Sequence, residues 1–87
     1  MYVNELKQAV KKMAKETGNH KQWCATQIAK TADFQRFAEE TQNRRHLSAA
    51  HMATTGTNRR TGEPVSAKEQ AEARSDMIQS IAAWIAA

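Results

Sequence analysis

Thr54-Thr55-Gly56-Thr57-Asn58-Arg59-Arg60-Thr61-Gly62-Glu63-Pro64-Val65 contains two of the three glycines and the only proline in a chain of 87 residues. Glycine admits left-handed backbone, proline removes a backbone donor, and Thr and Asn side chains form local turns, so no helix runs comfortably through this stretch. Elsewhere the chain shows few β-branched runs and no alternating pattern, while apolar residues recur at helical spacing. The expectation is an all-α fold in a single domain, residues 1–87. It is a small bundle of three to five helices, at about 3–17, 20–42 with a split near 31–33 left open, 46–54 and 66–86. A flexible basic loop at 54–65 interrupts them.

Working outward from the loop, Ser66-Ala67-Lys68-Glu69 supplies a capping box and marks the start of the last helix. On that helix Ala71, Ile78, Ile81, Ala82 and Ile85 share one stripe, and Met77 with Trp84 forms a second beside it. Two stripes exceed the width that one neighbour covers, so this helix is either central to the core or meets another protein or a second copy of the chain. Toward the N-terminus, Val3, Leu6, Val10 and Met13 define an amphipathic helix that Gly18 stops, with Lys7, Lys11, Lys12 and Lys15 on its other side. Between these, Trp23, Cys24, Ile28, Phe34, Phe37 and Ala38 are placed on one broad face, with Thr31 or Asp33 able to cap a restart. Continuing that helix would put Arg45 about 20° from Phe34, inside the apolar face, so a break is expected near Asn43.

A chain of this length buries only about 60% of its unfolded surface, which implies modest stability, and dimerisation would help. The core candidates are Val3, Leu6, Val10, Met13, Trp23, Ile28, Phe34, Phe37, Leu47, Met52, Met77, Ile78, Ile81, Trp84 and Ile85. The single cysteine, Cys24, excludes an intramolecular disulfide and a sulfur-based zinc cage, and a reducing cytoplasm suits it. Residues 1–10 are polar-interrupted and lack the apolar centre of a signal peptide. The longest uncharged run, 77–87, has eleven residues, short of the roughly twenty that span a bilayer.

Thirteen Lys and Arg against nine Asp and Glu give a formal charge of +4. Residues 1–22 hold five bases and two acids, 23–53 four and three, 54–66 two and one, and 67–87 two and three. The excess therefore lies toward the N-terminal end, and its sign favours nucleic acid or an acidic protein surface as partner. Asn43-Arg44-Arg45 and Asn58-Arg59-Arg60 are its densest points. Arg59 and Arg60 sit on a loop without evident structural need, whereas Arg44 and Arg45 are expected near a helix C-terminus, where cations are favourable.

These features lead to a small non-enzymatic protein that binds nucleic acid through Lys7, Lys11, Lys15, Arg44, Arg45, Arg59 and Arg60. The alternative is an interaction module, an adaptor or inhibitor of the kind mobile elements encode, that uses Arg74, Met77 and Trp84 or the arginine loop. Neither cofactor nor metal is expected, because among His20, His46, His51 and Cys24 only His20 and Cys24 stand four residues apart, and one such pair does not make up a metal ligand set. Nor is there a nucleophile elbow or a phosphate loop to suggest an enzyme. A helix-turn-helix drawn from Trp23 to Leu47 lacks the tight glycine-containing turn.

Thr55-Gly56, Asn58 and Thr61-Gly62-Glu63 resemble the DNA-binding arm of the HU and integration-host-factor family, and Asn4-Glu5-Leu6 with Ala9-Val10 is similar to its opening helix. The resemblance implies a β-ribbon that carries Arg59 and Arg60 into the minor groove. The chain departs from that family at Arg59, where proline is usual. Residues 38–54 also lack the glycine-bracketed apolar strands that precede the arm.

Overall fold

The structure, a computed structural model, describes residues 1–87. Five helices follow one another: α1 Tyr2–Thr17, α2 Lys21–Thr31, α3 Phe34–Thr41, α4 Arg44–Thr55 and α5 Ala67–Ala86. Several boundaries have a local cause. Gly18 closes α1 in the left-handed conformation at φ 72°, its N–H donating to Ala14 O. Asp33 separates α2 from α3, because its carboxylate accepts the N–H of Arg36 and so caps a new helix. The Ser66 hydroxyl accepts the N–H of Glu69 and donates to the Glu69 carboxylate, a variant of the expected box in which the two side chains meet each other.

Two compact units arise. One comprises Met1–Ala32 with Ile78–Ala87, the other Asp33–Met77, and α5 contributes its C-terminal part to the first and its N-terminal part to the second. In the first unit α1 packs on α2, burying Val3, Leu6 and Val10 from α1 and Cys24, Ala25 and Ala29 from α2. In the second unit α3 packs on α4, with Phe34, Phe37 and Ala38 from α3 and Ala50 from α4 inside. Alanine makes up five of the fourteen buried apolar residues, beside larger fully buried side chains such as Phe37, Met77 and Ile81.

Three expectations change here. Trp23 is not core: α2 buries Cys24, Ala25 and Ala29, and the indole on the opposite side is 49% exposed. Along α5 the buried line is Ala73, Met77, Ile81 and Ile85, one residue every four, while Ala71 and Arg74 face solvent. The Met77/Trp84 stripe is thereby split, since Met77 is fully buried and Trp84 is 41% exposed.

The ribbon implied by the HU-like residues is not formed. Thr57 and Pro64 make one isolated antiparallel bridge, and most of 38–54, where strands would precede an arm, is helical.

Candidate nucleic-acid interface

The loop has a defined hydrogen-bonded path. Val65 N–H donates to Gly56 O at 2.9 Å and Asn58 N–H to Glu63 O at 2.8 Å, which ties the two sides of the loop together. At its tip the Asn58 side-chain oxygen accepts the N–H groups of Arg60 and Thr61 at 2.8 and 3.2 Å, and Asn58 O accepts from Gly62 N–H at 2.7 Å. Gly62, at φ 75°, then ends this single turn in the left-handed conformation. At its base, Thr57 Oγ1 lies 3.0 Å from His51 Nε2 and 2.8 Å from Thr55 Oγ1.

The first Asn-Arg-Arg is built the same way. Asn43 Oδ1 accepts from Arg45 and His46 N–H at 3.0 and 3.3 Å, and Asn43 O accepts from Leu47 N–H at 2.9 Å. Both asparagines therefore cap a turn whose first two residues are arginines; one turn continues as α4 and the other stops at Gly62. The repeated tripeptide is one local structure used twice, because the short amide of asparagine is well placed to accept the N–H groups two and three positions on.

This overturns the expected reason for Arg44 and Arg45. They occupy the first turn of α4, not the end of α3, so the helix dipole opposes them. All four arginines are exposed, and none is paired with a carboxylate. Holding cations at a helix N-terminus without acidic partners works against stability, and a local rule broken without a structural gain points to function.

Charge divides sharply between the units. The first holds six lysines, no arginine and two glutamates; the second holds six arginines and Lys68 against seven acids. The whole excess of +4 thus belongs to the first unit. On α1, Lys7, Lys11 and Lys15 form a row at four-residue steps, with Lys7 half-buried and the other two exposed. Lys12 lies outside this row and reaches Glu16 at 4.0 Å, an exposed pair of little energetic weight.

Among the residues considered for a protein interface, Arg74 lays its guanidinium 5.5 Å from the ring centroid of Phe34, covering that edge of the second unit's core. Met77 is inside the protein and presents nothing to a partner, whereas Trp84 retains an exposed indole. An open groove of about 390 Å³ in the first unit is lined by Gln22, Ala82, Ala83, Ala86 and Ala87 and contains no ionisable side chain.

Compared with protein-family models, curated proteins and solved structures, the chain matches none. Its chemistry must therefore be read from its own side chains. His46 packs its ring 5.4 Å from that of Phe37 and lies 3.3 Å from Thr41 Oγ1. Burial, and next the charge of Arg45, hold its pKa below 6.5. No group of three or more His, Cys, Asp and Glu side chains gathers at metal-binding range.

Two features of the site lie outside the expectations drawn from the sequence. The capping role of both asparagines was legible in the repeat itself. The outward direction of Trp23 was legible only by treating Ala25 and Ala29 as core.

Proposed function

We propose that this chain is a small non-enzymatic regulatory or accessory protein that binds nucleic acid through Lys7, Lys11, Lys15, Arg44, Arg45, Arg59 and Arg60. The observation that carries this reading is the paired Asn-capped turn, which presents two exposed arginine pairs without carboxylate partners. A guanidinium fork matches phosphate oxygens bidentately, and a rigid turn lowers the entropy lost when it does so. Lysines at four-residue steps on α1 add point charges along one line. Binding of this kind is dominated by the backbone, with weak sequence preference.

The test is a binding titration across salt. Affinity for oligonucleotides should fall steeply between about 50 and 200 mM salt, and Arg59→Gln with Arg60→Gln should lower the log–log slope by about one to two. Undetectable affinity for any nucleic acid at the lower salt would refute the proposal.

A second reading, a module that docks on an acidic protein surface, draws on the exposed indole of Trp84. It predicts that Trp84→Ala removes a specific protein partner while leaving salt-dependent oligonucleotide binding intact.

A further inference from the structure

We infer that the nucleic acid is single-stranded and that Trp23, on the outer face of α2, is a platform for base stacking. This rests on the nucleic-acid reading above and narrows it to a substrate class.

Trp23 is the largest side chain on α2, yet it projects away from the packed side. At about 100° per residue, Trp23 lies roughly opposite the mean direction of Cys24, Ala25, Ile28 and Ala29. Thr26, Gln27 and Lys30 share its side of the helix, with Lys30 two turns beyond the indole. Charge, hydrogen-bonding groups and a half-exposed aromatic face thus line one strip. Core packing does not account for the indole, since small residues fill the buried side of α2.

The surroundings select the occupant. The unit containing Trp23 carries six lysines, two glutamates and no arginine, so it complements a polyanion. Protein interfaces enrich arginine and deplete lysine, which is the reverse of this composition. A second copy of the chain would bring the same positive unit against itself. Within a duplex the faces of the bases are covered by their neighbours, and an indole on a convex helix cannot reach them. In a single strand they are available, and aromatic stacking combined with lysine contacts to phosphate is the usual means of holding it. Trp84, also half-exposed and in the same unit, provides a second indole.

The experiment uses the full chain, whose tryptophan emission comes from Trp23 and Trp84 alone. Oligo-dT, oligo-rU and a duplex of equal length are titrated at low salt, followed by fluorescence and by anisotropy of labelled strands. The expected result is quenching by the single strands and tighter binding of at least one of them than of the duplex. Trp23→Ala should weaken single-strand binding by about 5- to 100-fold, Trp23→Tyr should restore most of it, and duplex affinity should stay the same. Trp23→Leu keeps an apolar side chain without a π face and should behave as Trp23→Ala, which separates stacking from simple packing.

Equal or tighter duplex binding, or single-strand affinity indifferent to Trp23→Ala and Trp23→Leu, overturns the inference while leaving the nucleic-acid reading standing. Absence of binding to all three oligonucleotides overturns both. A change in oligomeric state on Trp23→Ala, with oligonucleotide affinity unchanged, would assign the indole to a protein contact and also overturn the inference.

Discussion

The Asn58 side-chain oxygen accepts the backbone N–H of Arg60 at 2.8 Å, and fifteen residues earlier Asn43 accepts that of Arg45 at 3.0 Å. The same hydrogen bond places an arginine pair at the start of a turn in both cases. Its energetic consequences differ, because only one of the turns grows into a helix.

Asn43→Ala should destabilise the protein by about 1 kcal/mol, as loss of an N-cap does, lowering the thermal midpoint by about 4–8 °C for a domain of this size. Asn58→Ala removes the equivalent bonds from one surface turn and should lower the midpoint by less. Thermal denaturation followed by circular dichroism checks both, and amide exchange at Arg60 and Thr61 should accelerate in the second variant alone.

Arg44→Glu should stabilise the protein and weaken its binding together. A carboxylate in the first turn of α4 interacts favourably with the helix dipole, a change of about 0.3–1 kcal/mol for removing the adverse cation or for adding the anion. The thermal midpoint should rise by a few degrees while oligonucleotide affinity at low salt falls. A variant that is stabilised and binds as well as the parent would detach Arg44 from the interface.

Gly56 and Gly62 share a left-handed conformation, at φ 71° and 75°, but not their surroundings. A Cβ at Gly56 would meet the Gln70 side-chain amide at 3.3 Å, whose Nε2 donates to Ala53 O; at Gly62 it would meet nothing within 4 Å. Both alanine variants should lose about 1–2 kcal/mol to backbone strain. Gly56→Ala should lose about 1 kcal/mol more, through the disturbed Gln70 bond. Gly62→Asn should recover part of its loss because asparagine tolerates this conformation. Urea titrations resolve the differences.

His46 makes stability depend on pH in a defined direction. Its folded-state pKa lies below 6.5, through burial first and then the charge of Arg45. The neutral ring is thus the form favoured by folding. On acidification the unfolded chain takes up this proton first, so the contribution is complete above about 6.5 and is lost as pH falls from there through the lower folded-state value. His46→Gln should flatten the change in thermal midpoint across that window, measured at fixed ionic strength. An unchanged pH dependence would mean that the ring does not gain from staying neutral.

Helical class, the capping box at Ser66 and the stop at Gly18 were all legible in the chain, and Asp33 was one of two residues able to cap a restart that the sequence left open. Each depends on bonds between residues at most four apart, and residue type and spacing decide such bonds. The break at Asn43 was legible as well, because extending the helix would have driven Arg45 into an apolar face. Which side of that break would hold the arginines was not, since either helix end accommodates a break at the same residue.

By itself, then, the sequence determined that this is an all-helical protein with a glycine-rich turn, its positive excess near the N-terminal end and arginine in two copies of one tripeptide. Tertiary packing decided which apolar side chains went inside. Against Val3, Leu6 and Val10 of α1, Cys24, Ala25 and Ala29 took the buried side of α2 that Trp23 had been expected to share. Along α5 the buried line took in Ala73 with Met77, Ile81 and Ile85, left Trp84 outside, and placed Arg74 over Phe34. Hydrophobicity ranks residues for burial, but the fit between neighbouring helices selects among them, and that selection left an indole facing solvent on the lysine-rich unit.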